Sequence, residues 1–269
     1  KYGTRFLGQF EAIFNMIEPD IDRLLAGEAS IKIVEFIRKL VDKNGRMIPV
    51  GMKAAVRDPN TSFKLIQPEI CYAERLNRLI RFFPGRTFLS AEEFQKRSEA
   101  LVEQLRQDAV FSNLLKGVWL PVFYPQFKLK DYGEDLENVF LKAAGDAYES
   151  QFPEWKFHNY REGELKRKVK IVEESHKRFI AKMAEGPVVG IQFFPLQGFS
   201  INADRELMPS LPKSLYLSGP IDLACAITAY PDVLARDFNT PGYDCAAISW
   251  RSAVYSLSFG VDDGLGLGY

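Results

Sequence analysis

Histidine is nearly absent from this chain, with two in 269 residues, and cysteine is scarce at three. His158, His176, Cys71, Cys225 and Cys245 stand at no recognised ligand spacing, so no metal site is expected. Three scattered thiols do not make a disulfide framework, and reduced thiols in a cytoplasmic protein are the expectation. Surplus charge of one sign is missing too. Lys plus Arg equals Asp plus Glu at 35 each, whereas a dedicated nucleic-acid binder carries an excess of positive charge. No apolar run approaches the roughly eighteen residues that cross a bilayer, so no membrane partner is expected. Internal repeats and cofactor motifs are lacking, and no cofactor is expected. Lys1-Tyr-Gly-Thr-Arg5 has neither a start methionine nor the pattern of a secretory signal, so a segment is expected to have been removed or left out ahead of it, and export stays open.

One absence is local. Between Gly219 and Tyr269 there is no Lys and no Glu, against six Asp and two Arg. A stretch so poor in long charged side chains belongs in an interior. Ahead of it lie a dense apolar run, Pro187 to Pro195, and Ser214-Leu-Tyr-Leu-Ser218, which meets a sharp Gly219-Pro220 turn. Pro187–Phe259 therefore reads as the dry centre of one domain spanning 1–269, with a candidate sub-boundary near 186 where the composition shifts.

The first two-thirds read as helical. Phe6, Phe10, Ile13, Phe14 and Ile17 recur at three- and four-residue spacing, and shorter patterns follow at Ile21–Leu25 and Ser30–Lys43. Helical spacing returns from Pro68 to Phe83. Ser90-Ala-Glu-Glu93 is a capping box opening a helix to about Gln107, with Phe94, Leu101 and Leu105 inward. Another helix is expected over Glu134–Ser150. The strongest pattern is Glu162–Ala184, with Leu165, Val169, Val172, His176, Phe179, Ile180 and Met183 on one stripe. Strands are expected near 118–124, broken by proline and hence at an edge, and at 187–194 and 214–218. Gly264-Leu-Gly-Leu-Gly268 imitates a phosphate loop, but no helix follows it, so a flexible tail is the expectation. The predicted fold is α+β, or mixed α/β, with a small late sheet under the helices.

Three function classes follow. The 21 Phe make a non-enzymatic interaction or structural protein the first, with a protein partner or homo-oligomer. The second is a cysteine-dependent hydrolase or transferase. Thr240-Pro-Gly-Tyr-Asp-Cys245 reads as a turn delivering Cys245 to the first turn of a helix, where amides and dipole favour a thiolate. Asp244-Cys245-Ala246 resembles the Asp-Cys-Ser-Gly start of NlpC-type cysteine peptidases. Ala-Ala replaces Ser-Gly here and no histidine follows Cys245, so the resemblance implies a base supplied from upstream, by His158 or His176. Leu215-Tyr-Leu-Ser-Gly-Pro-Ile221 is similar to a stretch that opens nucleoside deoxyribosyltransferase-like chains, but too little chain follows it for the rest of such a domain. The third class is nucleic-acid association. Residues 161–182 hold eight Lys or Arg and four acids, so Arg167, Lys168 and Lys170 would track phosphates while Trp155 stacks on bases. Asp237-Phe-Asn-Thr-Pro-Gly242 matches part of a calcium loop, yet proline replaces an oxygen donor and Ile248 the closing glutamate; it reads as a turn.

Overall fold

The computed structural model describes residues 40–53, 55–56 and 64–269. The helical patterns at 6–17 and 21–25, and most of 30–43, lie outside them. The described end of the last is a turn: Val41 bridges Met47, and the Asp42 carboxylate accepts from the amides of Asn44 and Arg46.

Helix α1 (Tyr72–Phe82) and helix α2 (Ala91–Gln107) come first. Half of the expected capping box forms: the Ser90 side chain accepts from the Glu93 amide, while the Glu93 carboxylate accepts from Arg97 Nε at 2.7 Å instead of turning back to the cap. Phe94 is buried. Leu101 instead lies open to solvent. Strand β1 (Trp119–Tyr124) follows. Then α3 (Tyr132–Asp135), a π-helical stretch Leu136–Leu141 and α4 (Lys142–Gln151) run on without a break over the segment read as one helix.

The pattern at Glu162–Ala184 yields only half a helix. Strand β2 (Lys156–Asn159) leads into turns, then strand β3 (Val169–Ile171), and helix α5 begins only at Glu174, ending at Glu185. Three causes are visible. Carboxylates from the preceding helix take the backbone donors: Glu137 accepts from Gly163 and Asp131 from Arg167. Arg167 sits at a left-handed φ of 60°. Val169 and Ile171 are β-branched and pair with a strand near the chain's end. Helical spacing was real, but tertiary pairing overrode it across the first half.

Strand β4 (Val188–Phe193) pairs antiparallel with β1, from Trp119 opposite Phe193 to Tyr124 opposite Val188. The pair stands alone, so Pro121 does sit where its missing N–H harms no ladder. Its carbonyl accepts instead from the buried Tyr230 hydroxyl at 2.8 Å. Helix α6 (Ile201–Leu207) follows, then an extended stretch at 214–218 that joins no sheet, contrary to expectation. Helix α7 (Pro220–Ala229) is buried at every position and packs against α1, α4 and β1. A helix apolar on all sides has no other stable place than the interior.

After the short helix α8 (Pro231–Leu234) come β5 (Tyr243–Asp244), β6 (Ile248–Trp250), β7 (Ser258–Val261) and β8 (Gly264–Gly268). The glycine-rich tail is thus a strand. It runs parallel to β2 and antiparallel to β7 in a sheet ordered β2-β8-β7-β5, while β3 pairs with β6. The fold is α+β. Its main buried cluster takes in residues from Leu76 to Leu267 with α7 among them. Arg75 anchors one flank: it is buried, bonds both Asp232 oxygens at 2.5 and 2.9 Å, and lies 4.5 Å from the centre of the Tyr230 ring. Among the described residues no helix is long and apolar enough to cross a membrane.

Candidate functional site

A cleft of about 670 Å³ opens between β4, the chain that follows it, α5, α6 and the first turn of α7. Its walls are largely apolar, and its polar groups fall into two sets. The first is held by the turn that starts α7. Pro220 at the first helical position needs no hydrogen bond for its nitrogen, and Asp222 folds back so that its Oδ1 accepts from the Gly219 amide at 2.8 Å. The same carboxyl is hydrogen-bonded by the Ser218 hydroxyl. Ser218 Oγ in turn accepts from Gln192 Nε2 at 2.8 Å, and Gln192 Oε1 accepts from the Tyr124 hydroxyl at 3.4 Å.

His176, on the inner face of α5, completes this set. Its Nε2 lies 2.8 Å from the Tyr132 hydroxyl, and its Nδ1 lies 3.7 Å from Asp222 Oδ1, beyond hydrogen-bond reach. Gly219 is what lets the two segments approach so closely. A Cβ there would fall 2.7 Å from the imidazole and 2.8 Å from the Tyr132 oxygen. Burial holds the His176 imidazolium down to about 4, offset in part by the Leu217 backbone. Burial also pushes the Asp222 carboxyl up to about 7, against the Gly219 amide and the Ser218 hydroxyl. Between those values the two groups together hold one proton.

The second set is acidic. Asp204, on α6, is 6% exposed, and its Oδ1 has no hydrogen-bond partner among the described residues. Burial, and then the charge of Asp244, raises it to about 8. The neighbouring Arg205 does not neutralise it by contact. That guanidinium is spent on three carbonyls, donating at 2.7 Å to each of Ala246, Ile248 and Ala253. Tyr243, whose buried hydroxyl also lacks a hydrogen-bond partner among the described residues, and Asp244 line the cleft beside it.

The residues singled out from sequence take varied places. Cys245 sits between β5 and β6 rather than at the start of a helix, is fully buried, and donates its amide to Leu257 at 2.8 Å. Burial pushes its thiol well above the ordinary range, and the charges of Asp222 and Asp244 add to this. Asp244 is at the cleft. His158 is not: it is exposed on β2 and stacks on Tyr160, with ring centres 5.9 Å apart. The structure therefore does not bring His158 and Cys245 together. The histidine that faces the cleft is His176. Trp155 is 46% exposed ahead of β2, while Arg167 and Lys168 lie in a turn and Lys170 on β3, not along one helix face. Native-state labelling with iodoacetamide is expected to modify the exposed Cys71 and to leave Cys225 and Cys245 untouched until denaturant is added. Rapid labelling of Cys245 would instead support a nucleophilic role for it.

Sequence reasoning missed Asp204, Asp222, Gln192, Ser218 and Tyr132. For Asp222 a signal was present: Gly-Pro-Ile-Asp places proline and an acid where a helix start uses them. For Asp204 and Gln192 none was, since their burial is set by distant segments. Among the described residues no group of three or more His, Cys, Asp or Glu is placed to hold a metal ion. No family model matches this chain, and no curated protein and no solved structure matches it either.

Proposed function

We propose that the chain binds a small organic molecule in this cleft, with its carbon skeleton on the apolar walls and its polar groups on the two sets described. One observation carries the reading. Among the described residues seven buried side-chain polar atoms find no hydrogen-bond partner, and three of them, His176 Nδ1, Asp204 Oδ1 and the Tyr243 hydroxyl, belong to residues lining this cleft. Buried polar groups are almost always satisfied, and these three face a cavity with room for an external partner.

The test is methyl NMR on the full chain labelled at methionine. Met47 and Met208 line the cleft, whereas Met183 lies in the core behind it. A panel of small molecules with an apolar body and one polar head should move the first two signals in a saturable way and leave Met183 in place. If no member of the panel moves either signal at millimolar concentration, the reading fails.

Proton-transfer catalysis on the bound molecule is a second reading. What favours it is that one environment lowers His176 to about 4 and raises Asp222 to about 7 side by side. A turnover that disappears in Asp222→Asn while ligand binding persists would support it. The interaction role suggested by phenylalanine content draws less support, because Phe238 is the one phenylalanine largely exposed among the described residues. We propose also that the chain is one domain across the composition shift at 186. In support, β1 before it pairs with β4 after it. Calorimetry should then give one transition, and two separated ones would overturn this.

A further inference from the structure

The geometry points to a cationic nitrogen in the ligand: we infer that Asp204 and Asp244 receive a protonated amine attached to an apolar body. This rests on the cleft being a small-molecule site, and it names the class of molecule.

Two carboxyl groups line the same part of the cleft, one buried and one at the surface. The buried one has an oxygen, Asp204 Oδ1, that no donor among the described residues hydrogen-bonds. A protein that only needed to fill this space would have done so with an apolar side chain, since a lone buried carboxyl costs stability. The nearest cation that should compensate it is committed elsewhere, because Arg205 caps the carbonyls of Ala246, Ile248 and Ala253. Those bonds hold the β5–β6 turn in place and leave the acidic pair facing the cleft with no ion-pair contact among the described residues. A divalent metal is a poor occupant. Hard cations want six or more oxygens, and no third acid or histidine joins the pair among the described residues. An ammonium needs only two or three acceptors, and its carbon chain suits the adjacent surface, where Phe194 and Tyr243 meet with ring centres 5.6 Å apart.

The experiment compares four probes on the full-length protein at about pH 8, where an alkylamine is still protonated. They are n-hexylamine, n-hexanol, n-hexanoate and calcium chloride, each followed through the Met208 methyl signal. Hexylamine should bind at least about tenfold more tightly than hexanol, and hexanoate more weakly than either. Asp204→Asn should erase the preference for the amine. Asp244→Asn, at an exposed position that does not threaten folding, should reduce it. If hexanol and hexylamine bind alike, the cleft is a ligand site but the inference of a cation is wrong. If calcium moves Met208 and Asp204→Asn abolishes that shift, the pair is a metal site and the inference is equally wrong. Should no probe move Met208, the binding reading itself falls with it.

Discussion

Asp204→Asn is expected to make the protein more stable above about pH 8 and to leave it unchanged near pH 4. The carboxyl is held at about 8 in the folded protein against an ordinary 3.8, because burial, and then the charge of Asp244, disfavour its ionised form while Arg205 opposes them only weakly. A raised folded-state value means that the native protein binds more protons than the unfolded chain between about pH 4 and 8. Stability is therefore lost as pH climbs through that window. Below it both states are protonated, and the amide imitates the neutral acid. Above it the carboxylate is charged in both states, and its burial penalty reaches on the order of 5 kcal/mol as an upper bound. The asparagine variant does not titrate there, so the difference between variant and parent in urea midpoint should widen steadily from pH 4 to 8. The Asp222 and His176 pair adds little to this slope. Between about pH 4 and 6.5 it holds one proton whether folded or unfolded. A pH-independent difference between the two proteins would show that Asp204 is already ionised and satisfied. Stabilisation by removal of a charge is the usual mark of a residue kept for binding rather than for folding.

Gly133→Ala should have the opposite and comparably large effect, a loss of about 4 kcal/mol or failure to fold. A Cβ at this position in α3 would lie 2.0 Å from the Leu165 carbonyl oxygen and 2.4 Å from its carbon. Backbone cannot swing away as a side chain does. Leu165 is fully buried, and the segment it heads is pinned where Asp131 accepts from both the Glu134 and Arg167 amides. Moving it withdraws Leu165 from the core and breaks the double cap. Gly186→Ala serves as the control: its φ is −175°, extended backbone open to any residue, and an added Cβ there meets nothing within 4 Å. It should cost under about 1 kcal/mol. Near-equal urea midpoints for the two variants would mean that the 165–167 turn is not seated against α3.

These two positions also mark how far sequence could be read. Local chemistry was legible: the Ser90 cap, the apolar face around Phe94, the charge-poor stretch that became α7, and the proline-bearing edge strand all follow from neighbours a few residues apart. Contacts between distant segments were not. Val169 and Ile171 carried helical spacing, yet they form a strand because Ile248 and Trp250 offer a ladder eighty residues later. Gly264–Gly268 alternates leucine with glycine, yet its glycines read as a loose tail, and its partner Lys156–Asn159 lies about a hundred residues earlier. The cleft suffered most from this. Asp204 looks like any helical acid, and Gln192 like one polar residue in an apolar run; only the fold makes them neighbours of Tyr243 and Ser218. Cys245 drew attention through a motif whose helix never forms.

The parallel pairing of β2 with β8 sets a schedule during synthesis. Lys156 leaves the ribosome with its strand edge bare, and the residues that cover it follow about a hundred positions later. At roughly 5–20 residues per second that is an interval of about 5–20 s. Through that interval a nascent chain carries an uncovered strand edge, a template on which a neighbouring chain could pair.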